Sequence, residues 1–106
     1  MIERLPRCGE GSCDTRDGRR GLRGRYGRVN IELDKTGVLA EALALADAAQ
    51  AQGVSLVVGC MLCASRAIRA ALPLAPRVRF ADLDGPTWLA VDAEPALDFH
   101  GGRIQL

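Results

Sequence analysis

Residues 28–34 read RVNIELD, and the fold follows from their alternation. Val29, Ile31 and Leu33 fall on one side of an extended chain, and Asn30, Glu32 and Asp34 on the other, because successive strand side chains point to opposite faces. Downstream, Thr36 is placed to cap a helix over residues 37–52, GVLAEALALADAAQAQ, which Gly53 ends. A continuous apolar run at 54–60, VSLVVGC, has the composition of a strand covered on both faces. A second helix is expected over 62–74, closed by Pro73 and Pro76, and a third strand at 78–84, VRFADLD. Strand, helix, strand, helix, strand predicts an α/β fold with a parallel βαβαβ sheet. GPTWLAV, residues 85–91, reads as a short extended piece, and residues 97–106 as a hairpin around Gly101-Gly102. Upstream, LPRC suggests one more strand, while Gly at 18, 21, 24 and 27 makes residues 14–28 a loop or a weak helix.

A chain of 106 residues is expected to form one domain. Aromatics are only 4% of it, so the core has to be built from Ala, Leu, Val and Ile. The net charge of +1 hides an asymmetry. Residues 1–28 hold eight Arg against four acids, and residues 80–100 hold five acids with no Lys or Arg. Opposed ends of this kind can pair within the fold or between copies, which makes a homo-oligomer one expected partner. The six Arg from Arg16 to Arg28 have only Tyr26 among them to stack on a base, so a solvated face is preferred to a nucleic-acid footprint. The N-terminus has acids and no apolar stretch, hence no signal peptide, and residues 48–65 change character too soon to span a membrane. Four cysteines without an export signal point to reduced thiols in a cytoplasmic protein.

Asp82 and Asp84 stand two apart near the carboxyl end of a parallel strand, which is where such folds bind ligands. Neighbouring carboxylates repel unless a cation lies between them, and a ligand ammonium or a metal would serve. A solvated strand end before the Gly85-Pro86 turn is an equal reading of the same residues. Glu32 sits on the polar face with Asn30 and Asp34, as a strand facing a site or a wet edge would place it. Cys60 and Cys63 form a CxxC where strand meets helix; buried small hydrophobes are the main reading. A redox pair is one alternative, and a four-thiolate zinc site with Cys8 and Cys13 is another. His100, in the terminal hairpin, and Trp88, the lone tryptophan, are read as structural, Trp88 by packing.

Four stretches carry a resemblance: CGEGSCDTR from Cys8, then residues 21–62 with VNIELDKTG at their centre, then RFADLDGP, then LDFHGGR. In that order the chain resembles the last third of the dipeptide epimerases, in the muconate-cycloisomerase-like branch of the enolase superfamily. The resemblance implies a modified (β/α) barrel of which residues 1–106 are a single segment, strands five to eight; a whole barrel takes about 250 residues. It implies proton abstraction next to a carboxylate by a pair of lysines, with Mg²⁺ stabilising the enediolate. Of the three metal-holding acids, one would fall here. The family pattern C-A-D-E-S-C places its Asp where this sequence has Glu10. The family's strand-six lysine, third in N-I-K-L, is Glu32 here. Lys35, three residues on along a strand, is expected to point elsewhere. Asp82 and Asp84 match the strand-eight D-x-D that holds a dipeptide's α-ammonium.

The expectation is therefore a truncated or degenerate epimerase-like barrel segment, with its binding half kept and its catalytic half altered. Its partner would be a dipeptide-like small molecule. The rival readings are one half of a split Mg²⁺-dependent epimerase, completed by the missing barrel half, and a small CxxC thiol or zinc protein.

Overall fold

The computed structural model describes Cys8–Gly9 and residues 27–106. Four strands form one sheet in chain order: β1 (Cys8–Gly9), β2 (Arg28–Ile31), β3 (Ser55–Val58) and β4 (Phe80–Ala81), each parallel to its neighbour. Val29 lies across from Leu56, Ile31 from Val58, and Val58 in turn from Ala81. Two more strands, β5 (Asp98–His100) and β6 (Arg103–Gln105), make the separate antiparallel hairpin, with Gly101 and Gly102 at φ 56° and 73° in its turn.

β2 is three residues shorter than the alternation suggested. After Ile31 the chain leaves the sheet at Glu32 and makes one helical turn, α1 (Leu33–Thr36). The Glu32 carbonyl draws this turn together, accepting from the Lys35 N–H at 3.0 Å, the Thr36 N–H at 3.1 Å and the Thr36 hydroxyl at 3.4 Å. Thr36 is thus spent inside the turn and does not cap the long helix. That helix, α2 (Leu39–Ala51), begins after Val38, which offers no side-chain cap.

The core lies between α2 and the sheet. α2 buries Ala42, Leu45, Ala46 and Ala49, the one-sided spacing of a helix lying on a surface. They meet Val29, Ile31, Leu56 and Val58, all essentially without solvent exposure. The second crossover helix, α3 (Ser65–Ala71), adds Ile68 and Ala71 and passes into a 3-10 turn, Leu72–Arg77, which buries Leu74. Pro73 and Pro76 explain the tighter winding, because neither can donate the N–H an α-helix needs.

α3 starts three residues later than expected because its first N–H group is satisfied from afar. Asp92 accepts from the Ser65 N–H at 2.8 Å and from the Ser65 hydroxyl, and the same hydroxyl accepts from the Leu97 N–H at 2.9 Å. Ser65 is wholly buried, so this clip fastens the loop around residues 92–97 to the helix end. GPTW is not extended: Gly85–Trp88 forms a 3-10 turn. On the open edge of β4, the half-exposed Phe80 ring carries the guanidinium groups of Arg28 and Arg79 at 4.9 and 5.7 Å from its centre. Each guanidinium lies at cation–π distance from the ring.

Among the described residues, no helix is long and apolar enough to cross a membrane.

Candidate functional site

Because β2, β3 and β4 run in parallel, the residues after each strand gather at one end of the sheet. Glu32 follows β2, Gly59 and Cys60 follow β3, and Asp82 to Asp84 follow β4. The ladder continues one step beyond each strand: the Gly59 N–H donates to Ile31 O at 2.9 Å, and the Asp82 N–H to Val58 O at 2.8 Å.

Glu32, just past the end of β2, is 8% exposed, which rules out the wet-edge reading of its place. One carboxylate oxygen accepts from Asn30 Nδ2 at 3.0 Å. The other lies 3.5 Å from Lys35 Nζ. Lys35 therefore does share the space of Glu32, a correction to the strand-based expectation. In a strand, i and i+3 point to opposite faces; in the helical turn α1 they are neighbours. Gly59 makes room for this group, since a Cβ there would stand 2.8 Å from Asn30 Oδ1.

Asp82 and Asp84 come together as the spacing suggested, although the strand has ended before them. Both are exposed, with Leu83 buried between them. Partial burial, the charge of Asp84 and a proton shared with its carboxyl push the Asp82 pKa up. Asp84 is held from below: its carbonyl accepts from the Thr87 N–H at 2.9 Å and the Thr87 hydroxyl at 2.6 Å. Its carboxylate Oδ2 accepts from Trp88 Nε1 at 3.0 Å. Trp88 is 75% exposed, so it orients Asp84 instead of packing in the core. Nothing in a lone tryptophan announces this; the contact depends on the 3-10 turn that brings residue 88 over residue 84, where the sequence predicts an extended piece. Beside the pair lies a cavity of about 610 Å³ between Asp82, Asp84 and Thr87 on one wall and Phe99, His100 and Arg103 of the hairpin on the other.

Cys60 and Cys63 are free thiols, each partly buried. Burial pushes both pKa values up, that of Cys63 to about 11, with Cys60, Asp34 and Asp92 adding to the rise. Among the described residues, no group of three or more His, Cys, Asp or Glu side chains stands where it would hold a metal ion. Glu10 and Cys13, and the side chain of Cys8, lie outside the described residues.

No protein-family model matches the chain. Individual relatives do. The L-Ala-D/L-Glu epimerase of Escherichia coli K12 is 66% identical over 106 residues, all of this chain and 33% of that protein. A solved L-Ala-D/L-Glu epimerase superposes on the entire chain with a TM-score of 0.90 and 65% identity, again over 33% of its length. The chain belongs to the enolase superfamily. Within that superfamily it matches the C-terminal part of dipeptide epimerases, and its sheet is an incomplete TIM-type barrel. An N-acetyl-D-glutamate racemase from Pseudoalteromonas is 40% identical over 100 residues, 94% of this chain and 32% of the racemase. An Agrobacterium tumefaciens enolase-family structure with bound sodium and L-Ala-L-Glu is 44% identical over 83% of the chain and 27% of its own, with a TM-score of 0.78. The dipeptide epimerase of Methylococcus capsulatus, solved with Mg and L-Arg-D-Lys, is 35% identical over 85% of the chain and 27% of its own, with a TM-score of 0.74. The chain spans about a third of the length of the curated relatives it matches.

Proposed function

We propose that this segment, residues 1–106 corresponding to strands five to eight of an epimerase barrel, binds the ammonium end of a dipeptide-like molecule but does not by itself exchange the α-proton. The observation that carries the reading is the Asp82–Asp84 pair, two neighbouring carboxyl groups past the end of β4 with Trp88 fixing one of them. Neighbouring like charges repel, and a ligand cation taken between them relieves the repulsion. Relatives solved with L-Ala-L-Glu or L-Arg-D-Lys bind ligands with such an end.

The absence of turnover is argued from Glu32. At the position the family resemblance gives to a lysine, this chain has a carboxylate already held by Asn30 and Lys35. Lys35 brings an ammonium into the space, but that ammonium is engaged by the Glu32 carboxylate 3.5 Å away. Mg²⁺ enters only through the likeness: Glu10 would be the ligand from this segment, and the described carboxylates do not assemble a centre of their own.

Trp88 is the sole tryptophan and touches Asp84, so its fluorescence reports on the pair. Titration with L-Ala-L-Glu should change the emission saturably, and the same dipeptide with its amine acetylated should not. No saturable change with the free amine, or an equal response to the acetylated form, would remove the ammonium reading.

A further inference from the structure

Two thiols lining one cavity near the Asp pair have a chemistry of their own, whether or not that pair binds an ammonium. Cys60 and Cys63 follow β3 three residues apart, both free and partly buried. Both also line a cavity of about 320 Å³ bounded by Leu33, Asp34, Val38 and Ile68, so a small reagent can reach them. Against them packs Gly85. An added Cβ at Gly85 would lie 2.6 Å from Met61 O and 2.9 Å from Cys63 Sγ, so the thiol loop and the Gly85 turn fit without spare room. Gly85 is covalently joined to Asp84.

We propose that Cys60 and Cys63 are a modification site, a dithiol that closes to an intramolecular disulfide and in closing displaces the Asp84 turn. An S–S bond is roughly 2.05 Å long, far shorter than any contact between unbonded sulfurs, so closure must draw at least one sulfur inward. Gly85 packs directly against Cys63 and cannot stay where it is when that residue moves. The displacement passes to Asp84 and then to Trp88, through the hydrogen bond between them.

The oxidant is a low-molecular-weight disulfide such as oxidised glutathione. One cysteine loses its proton and its thiolate attacks the glutathione disulfide, expelling one glutathione thiolate and leaving a mixed disulfide. The second cysteine, deprotonated in turn, attacks the bound sulfur and expels the other. Two protons and two electrons leave the chain, and one oxidised glutathione becomes two reduced ones. Because both thiols are held protonated at neutral pH, closure should be slow at pH 7 and accelerate about tenfold per pH unit up to pH 9.

The test uses the full chain as it exists. Cleavage after Lys and Arg leaves Cys60 and Cys63 together in the peptide 36–66, and Cys8 and Cys13 together in the peptide 8–16, so the two pairs are read separately. After incubation with oxidised glutathione, peptide 36–66 should be lighter by two hydrogen atoms and refuse iodoacetamide. The emission of Trp88 in the intact chain should shift with the same time course and return on adding dithiothreitol. Cys60→Ser should abolish the shift, and should that variant not fold, Cys63→Ser or the dithiothreitol reversal of the unmodified chain serves instead. Peptide 36–66 retaining two alkylatable thiols at pH 9, or stopping at a glutathione adduct, would overturn the proposal. So would closure that leaves the Trp88 emission unmoved.

Discussion

Lys35 Nζ lies 3.5 Å from the Glu32 carboxylate, three residues back along one helical turn. This ion pair stands where the family resemblance expects a lysine, and the function proposed above turns on it. Glu32 is 8% exposed and Lys35 36%, so the pair is neither fully wet nor fully buried. Lys35→Met should cost about 1 kcal/mol, between the small value of an exposed pair and the larger one of a buried pair. Together with Glu32→Gln, a double-mutant cycle in urea should return a coupling of about 0.5–1 kcal/mol. A coupling indistinguishable from zero would mean the contact is incidental.

Two carboxyl groups should give the stability opposite slopes with pH. Hydrogen bonds from the Ser65 hydroxyl and N–H hold the Asp92 pKa below its ordinary 3.8. A depressed pKa contributes stability that is present above pH 3.8 and is lost as pH falls through the lower folded value. Asp82 is the reverse: its pKa is raised, so its favourable contribution exists below the ordinary value and is lost as pH rises through the folded one. Asp92→Asn should therefore lower the urea midpoint at pH 6 and flatten the fall in acid, while Asp82→Asn should raise the midpoint at pH 7. Urea melts from pH 2.5 to 7 check both signs.

Gly85 is where the thiol loop and the Asp turn meet. Gly85→Ala sets a methyl group 2.6 Å from a backbone oxygen that cannot swing aside. The expected loss is about 1–3 kcal/mol, the usual cost of forcing extra volume into a close-packed site. Gly59→Ala should cost less, because its nearest atoms belong to the end of the Asn30 side chain. Equal midpoints for both variants and the parent would show that these approaches relax freely.

Much of the fold was legible because burial leaves a period. Val29 and Ile31 alternate with polar neighbours, and the buried positions of α2 repeat at three and four, so strand and helix announce themselves even in an Ala-rich chain. What the residues did not announce is where an element stops. LDKT extends a strand pattern as readily as it forms a turn; the decision belongs to the Glu32 carbonyl, which collects three donors from Lys35 and Thr36. That one misplaced boundary sent Lys35 to the wrong side. In the same way the start of α3 depends on Asp92, 27 residues away, a partner that no local pattern shows. The Asp82–Asp84 pair was legible because two-residue spacing survives the end of the strand, whereas the Trp88 contact depends on a turn type.

Assembly can be checked in solution. An incomplete barrel has open edges, and β4 ends this sheet with both its residues exposed. The charge asymmetry between residues 1–28 and 80–100 favours head-to-tail contact of copies. Sedimentation over a concentration series should show self-association that weakens with added salt. A monomer throughout, with a sharp melt above about 60 °C, would mean that the segment closes its own core.

The central claim, binding without proton exchange, is tested most directly in deuterated water. The chain is incubated with Mg²⁺ and L-Ala-L-Glu, and the α-proton of the glutamate is followed by NMR. With Glu32 tied to Asn30 and Lys35, the signal should decay no faster than in a chain-free control while Trp88 still reports the bound dipeptide. Exchange clearly above the control, abolished by Glu32→Gln, would show that the carboxylate at this position works as a base and would contradict the account.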